Sequence, residues 1–342
     1  MVVFLLTQLA SFFPEFTDKW YSQKTYPVIA SVFSNISSVF PFSIDDTFYL
    51  LLITVFLVLL FSIIIKKISF SRALNLTLNT LAITFTAFYL FWGFNYFRSN
   101  LNQRLDIPEQ NPDKEKFISQ LEILIENTNK SYCSFEEFNK NQIDSLVEDS
   151  YKNLASALKI RYPLGKRKAK NITLSGFFAK AGISGYYGPF FSEIHVNNKI
   201  LPVEYPFVLA HEKAHQFGIT SEAEANFYAW LVCTQSPSKQ LKYSANLTIL
   251  RFFLYEGYQL KEYPEIIAKL DDRVKADFNK IRDHWDNLRN EKVDRIATKV
   301  NDAYLKSNKI EKGIEDYTGV VKFVMDFSQD TAFQQKWNLK TN

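Results

Sequence analysis

Two histidines and a glutamate within five residues, His211-Glu212-Lys213-Ala214-His215, have the types and spacing for metal chemistry. Residues four apart on a helix share a face. His211 and His215 can therefore turn two imidazoles towards one metal ion. Glu212 follows the first of them, where its carboxylate can reach a water held by that metal. Zinc lowers the pKa of such a water towards ~7, and a neighbouring carboxylate can take the proton. The chain holds 4 His in all, so a chance pairing at ligand spacing is uncommon.

A catalytic zinc needs a third protein ligand and an open position. No His follows at short range, so a carboxylate must serve. Glu222 and Glu224 are the candidates, and being two apart on a helix they diverge. Glu224 suits a capping box with Ser221. Glu222 shares a face with Asn226, which is placed to orient a ligating His from behind. Helix geometry favours Glu222 and leaves Glu224 open. Either acid also suits a helix N-terminus through the macrodipole.

The elements that must position these groups are legible nearby. Pro206 fits the first turn of a helix, where its missing N–H is no loss. Phe207, Ala210 and Ala214 give that helix a buried side. Gly218 is placed to end it in a left-handed turn, and Thr220 or Ser221 to cap a second helix. Residues 191–197 alternate with period two and read as a strand carrying His195.

A resemblance covers nearly the whole chain and is densest over residues 177–233. It is carried by Gly182-Ile183-Ser184-Gly185-Tyr186-Tyr187-Gly188-Pro189-Phe190 and Glu193-Ile194-His195-Val196-Asn197. It continues in the His-Glu-x-x-His segment and in Ser221-Glu222-Ala223-Glu224-Ala225-Asn226-Phe227. Weaker matches are Phe94-Asn95-Tyr96-Phe97-Arg98 and Val300-Asn301-Asp302-Ala303-Tyr304-Leu305-Lys306. These stretches resemble the bacterial membrane family DUF3810, whose members carry a zinc-peptidase-like motif. The Glu-x-x-Ala-Asn ending is similar to the Glu-x-x-Ala-Asp of membrane gluzincin peptidases, whose third zinc ligand maps to Glu222. Asn226 replaces the Asp and removes a charge, and the interval from His215 to Glu222 is short for gluzincins. The resemblance implies a membrane-anchored, zinc-dependent metallopeptidase-like hydrolase acting on a peptide or protein at the bacterial cytoplasmic membrane. It implies a zincin-like domain whose strand, here 191–197, offers an edge to extended substrate. In similar enzymes a Tyr donates to the developing oxyanion, and Tyr243, Tyr304 and Tyr317 are the candidates.

The rest of the chain sets this domain on a membrane. At 342 residues it has room for two domains. The first hundred residues are far more apolar than the remainder. Residues 48–65 carry no charge and read as a membrane span, and 76–97 as a second one with an aromatic far end. Lys66, Lys67 and Arg72 lie between them, which makes that loop cytoplasmic by the positive-inside rule. The 98–342 region is then extracytoplasmic. Residues 2–13 are apolar but short of the ~20 that cross a bilayer; the resemblance suggests a short or truncated span there. Residues 27–40 read as an amphipathic helix packed on the membrane surface or on the soluble domain.

The 98–115 stretch, with Pro108 and Pro112, reads as a linker, and 116–342 as the metallopeptidase-like domain. The expected fold is mainly α (α+β), with N-terminal transmembrane helices and a mostly helical domain holding a small β-sheet. A net charge of +4 without a basic stripe gives no nucleic-acid partner, and Lys166 to Lys170 reads as a solvated loop. His284 reads as a surface residue. Cys133 and Cys233 are too few for a disulfide framework, though they can pair in an oxidising compartment; Cys233 reads as a small buried hydrophobe. The rival reading is a non-catalytic membrane sensor or scaffold with a closed four-ligand zinc site, which His195 as a ligand would favour. A helical membrane protein without metal is a third.

Overall fold

The computed structural model describes residues 2–111 and 113–339; Pro112 lies outside them. The chain is mainly helical with one small sheet. α1 (Val2–Phe12) is apolar almost all round and leaves Phe4, Leu9 and Phe12 exposed. After α2 (Pro14–Phe16), a π-helical stretch (Thr17–Thr25) leads into α3 (Tyr26–Ser37). Val28, Val32 and Ile36 form an exposed apolar stripe on α3, while Tyr26 and Ala30 are buried on its other side. The helix ends at Ser37, earlier than residue 40.

α4 (Ile44–Ile64) and α5 (Phe70–Phe91) are long and apolar enough to cross a membrane. They are not core helices: on α4 only Asp45 and Asp46 are buried, and on α5 only Ala73 and Tyr89. Both begin earlier than the apolar runs alone suggest, because serines cap them. Ser43 Oγ accepts from the Asp46 N–H at 2.8 Å, and Ser69 Oγ from the Arg72 N–H at 3.3 Å. α5 also stops at Phe91, and Gly93–Phe97 tightens into a 3₁₀ turn whose five residues are all buried.

The stretch read as a linker is packed. Residues Leu101–Leu105 form α6, and Leu101, Arg104, Leu105 and Ile107 are all buried. Local composition suggested exposure; the partners that bury this turn lie more than a hundred residues away. α7 (Lys114–Ser131) and α8 (Lys140–Leu154) start at Asp113 and Asn139 caps and bury one side each. The sheet consists of β1 (Lys170–Asn171), then after α9 (Ser175–Lys180) β2 (Gly185–Gly188) and β3 (Glu193–Val196). Its order is β1-β3-β2, with β1 parallel and β2 antiparallel to β3. β3 is therefore central, not the edge expected from sequence.

α10 (Tyr205–Gln216) and α11 (Glu222–Thr234) follow as a helical hairpin and sit in the middle of the core. Gly218 closes α10 at φ +78°, where a side chain would be strained and its Cβ would press on Asn95. α12 (Lys239–Gly257) packs beside them. The chain ends in α13 (Tyr263–Ala268), α14 (Asp272–Leu288), α15 (Glu291–Ser307), α16 (Val320–Gln329) and α17 (Thr331–Lys336). Cys133 and Cys233 are free thiols, the second fully buried.

Candidate metal centre

α10 carries His211 and His215 on one face, and the tight turn at Gly218 brings the start of α11 back over them. The Ser221 hydroxyl accepts from the Glu224 N–H at 3.3 Å and starts α11 one residue before Glu222. The result is a three-donor cluster. His211 Nε2 lies 3.0 Å from Glu222 Oε2, His215 Nε2 lies 3.1 Å from His211 Nε2, and His215 Nε2 lies 3.5 Å from Glu222 Oε2. Donors on a tetrahedral zinc with bonds of about 2.0–2.1 Å stand about 3.3 Å apart. The three separations bracket that value, so the residues fit the ion.

The second ring nitrogen of His215 supports the same reading. His215 Nδ1 faces the Ile219 carbonyl at 2.7 Å. That bond places the proton on Nδ1 and turns the Nε2 lone pair towards the cluster. His211 Nδ1 is buried without a partner.

Glu224 is elsewhere. Its carboxylate forms a buried pair with Arg104, Nη2 to Oε2 at 2.7 Å. The return arm of the capping box is therefore missing, and α6 supplies the partner that sequence reasoning did not foresee. The two acids separate by experiment. Glu222→Ala is expected to weaken metal binding at least about 100-fold, beyond what loss of an outer partner does. Glu224→Ala is expected to keep the metal while leaving Arg104 buried and unpaired, costing about 3 kcal/mol. Metal titration and thermal unfolding read the two effects apart.

Glu212 points its buried carboxylate beside the cluster, with Oε2 lacking a partner. Burial raises its pKa, the His211 and His215 rings oppose this, and the Glu222 charge adds to it, bringing it to about 7. A carboxyl near neutrality can both take and return a proton. Gly185 of β2 lies against it: a Cβ there would stand 2.7 Å from Glu212 Oε1. Only a glycine lets this strand pass so close. Burial disfavours a charge on His215, but the Glu222 carboxylate outweighs it and raises the ring to about 9. Burial likewise opposes the Glu222 charge, and His215 and His211 outweigh it, holding Glu222 well below the usual carboxylate range.

The pH dependence follows from these signs. In metal-free protein the raised His215 pKa stabilises the fold fully below about 6.5. That contribution fades as pH rises through about 9. Glu212, also raised, acts in the same direction between its ordinary value and about 7. The metal-free chain is expected to lose stability from pH 6.5 to 9. Metal fixes the imidazole in its neutral form, so the decline should vanish in the loaded protein. Thermal unfolding with and without chelator measures both; an unchanged slope would contradict the assignment of His215.

The remaining expectations divide. His195 is fully buried, but its Nε2 meets Ser43 Oγ at 2.7 Å and Glu193 Oε2 at 3.4 Å, and its ring stacks on Tyr186 at 4.3 Å. It belongs to the junction of α4 with the sheet, not to the metal cluster. Asn226 donates to the Tyr317 carbonyl at 3.3 Å and so does not orient a ligating His. Among the tyrosines, Tyr243 is spent on Asp277 at 2.6 Å. The Tyr304 hydroxyl accepts from Tyr96 at 3.1 Å. Tyr317 lies where the Glu222 and Glu212 charges act on it. Burial, then the Glu222 and Glu212 charges, raise its pKa well above the ordinary phenol value and keep the proton on it. His284 meets the Lys199 carbonyl at 2.7 Å.

Several supports were not visible in sequence. Three side chains hold the carbonyls of α10: Tyr151 on Ala210 at 2.6 Å, Trp92 on His215 at 3.1 Å and Tyr26 on Gln216 at 2.7 Å. Trp92 directly follows α5, so the metal cluster is one side chain from the end of a candidate span. Lys213, inside the motif, is fully buried and pairs with Asp144 at 2.9 Å and Glu148 at 2.5 Å. Arg167 joins the same carboxylate at 3.0 Å and reaches Gln216 at 2.8 Å. The basic run at 166–170 is thus partly interior, with Arg167 answered by Glu148 of α8 and Lys170 by Glu193 of β3 at 2.5 Å, partners that no local pattern shows.

No curated protein and no solved structure matches this chain. The family model described as "Protein of unknown function (DUF3810)" matches residues 21–325, and the chain belongs to that family.

Proposed function

We propose that this chain is a membrane-anchored zinc metallopeptidase-like hydrolase, with His211, His215 and Glu222 as ligands and Glu212 as general base. The observation that carries this reading is the cluster of three donors 3.0–3.5 Å apart with a buried carboxylate beside it whose Oε2 has no partner. Zinc bound there supplies a Lewis acid that polarises a carbonyl and acidifies a water. Glu212 takes the proton of the attacking water as its oxygen bonds to the carbonyl carbon. It then gives a proton to the leaving nitrogen as the C–N bond breaks. Tyr317 keeps its phenol proton and is the preferred donor to the developing oxyanion.

β2 supplies the edge that sequence reasoning sought in β3. The Asn197 N–H donates to the Ser184 carbonyl at 2.8 Å. By antiparallel alternation, Tyr186 and Gly188 bond towards β3 while Gly185 and Tyr187 turn their backbone groups outward. An extended peptide pairing there lies beside Glu212.

Of the alternatives, a closed structural zinc site lacks support, since His195 is held by Ser43 and Glu193. The Lys66–Arg72 charges favour a cytoplasmic loop, which puts the hydrolase on the extracytoplasmic side of a bacterial cytoplasmic membrane. Metal analysis of the full chain with peptide hydrolysis, wild type against Glu212→Gln, tests the reading.

A further inference from the structure

The substrate class of this proposed hydrolase is narrowed by a feature of its membrane region. Between α4 and α5 lies an apolar slot of about 260 Å³. Phe48 and Leu52 form one wall, α5 from Thr80 to Phe91 the other, and Phe190 and Phe191 close one end. Phe48 packs on Phe190 at 4.7 Å and on Phe191 at 6.1 Å. Ile83, on the slot wall, is 70% exposed, so the slot opens sideways where the spans would meet lipid.

Its dimensions select the occupant. Thr80 to Phe91 covers about 16 Å of helix, about half of a ~30 Å hydrocarbon core. The slot is therefore one leaflet deep. A transmembrane helix suits it poorly: it would run on past the midplane, and it is about 10–12 Å across. A single hydrocarbon chain that ends at the midplane does fit.

The closed end links the slot to the metal centre. Phe190 and Phe191 follow β2 after Pro189, and the far end of β2 is Gly185, against Glu212. β2 itself, from Gly188 back to Gly185, covers about 10 Å at about 3.3–3.4 Å per residue, and residues 189–192 turn back at its Gly188 end. A peptide paired along the open edge of β2 spans the same interval.

We propose that the slot holds the acyl chain of a lipid-anchored peptide, and that such a peptide is the substrate, cut within a few residues of its anchor. This rests on the hydrolase reading above. Free lipid of the bilayer is the competing occupant.

The test uses the full chain in lipid nanodiscs with a quenched fluorogenic peptide, palmitoylated or not, with shorter, matching and longer spacers. Tethering raises the effective concentration at the site, so the acylated peptide with the matching spacer is expected to be cleaved on the order of 100-fold faster. Ala87→Trp and Leu52→Trp fill the slot from opposite walls. Each is expected to remove most of that advantage and the spacer dependence, while the unacylated peptide is cleaved as before. If both variants keep the advantage, partition into the bilayer explains it and the slot proposal is overturned. If metal-loaded wild type cleaves neither peptide, the hydrolase reading fails instead. Binding is read independently in Glu212→Gln with a palmitoyl chain bearing a diazirine. Labelling of the Phe190–Phe191 segment by the acylated peptide, above that by a diazirine phosphatidylcholine at equal mole fraction, supports the slot. Equal labelling by both overturns it.

Discussion

Glu212→Gln is expected to lower peptide hydrolysis by about 10²–10⁴-fold, the usual contribution of a general base, while the protein keeps its metal. The expectation comes from position. Glu212 lies on the same helix as both His ligands but makes none of the donor separations that define the cluster. Its Oε2 is buried without a partner and its pKa sits at about 7. Glutamine keeps the shape and removes the basic oxygen. Rate and metal content, measured on the same preparation, check the split. Loss of metal together with rate would move Glu212 into the ligand set, and an undiminished rate would remove it from the mechanism.

The second large effect is on stability. Lys213→Met is expected to destabilise the protein by about 3 kcal/mol, because it leaves Asp144 and Glu148 without the ammonium that lies between them. For a domain of this size the melting temperature should fall by roughly 6–12 °C. The control is Lys275→Met, which breaks an exposed pair with Asp272 at 2.9 Å and should cost less than about 1 kcal/mol. Equal melting temperatures for the two variants would show that the buried network behind α10 does not hold the motif helix in place.

Sequence carried the local part of this site well. The apolar flank and Pro206 set the start of α10, Gly218 its end, and Ser221 the start of α11. Those three signals are enough to bring Glu222 over His211 and His215, since each depends only on neighbours within one or two turns. Sequence carried the long-range part poorly. Strand order depends on what pairs across the chain, so a period-two run at 191–197 could not reveal that β3 is enclosed by β1 and β2. Arg104 and Glu224 read separately as linker and helix cap, although together they form one buried pair. Lys213 and Arg167 look like solvent residues until α8 delivers Glu148 between them. Asp45 and Asp46 abut an apolar run and look like its polar boundary. The fold buries both: Asp45 accepts from the Phe190 and Phe191 N–H groups, and Asp46 accepts from the Thr173 N–H at 2.7 Å. These acids tie the start of α4 to the sheet that flanks Glu212. The candidate spans and the His211–His215–Glu222 cluster are consequently packed together, a relation that a division at residue 97 hides.

The most direct measurement is the zinc content of the purified full chain, wild type beside Glu212→Gln and His215→Ala. The account predicts about one zinc per chain in the first two and loss in the third, because it assigns His215 as a ligand and Glu212 as the base. Folded wild-type protein that takes up no metal would contradict the account at its centre and remove the hydrolase with it.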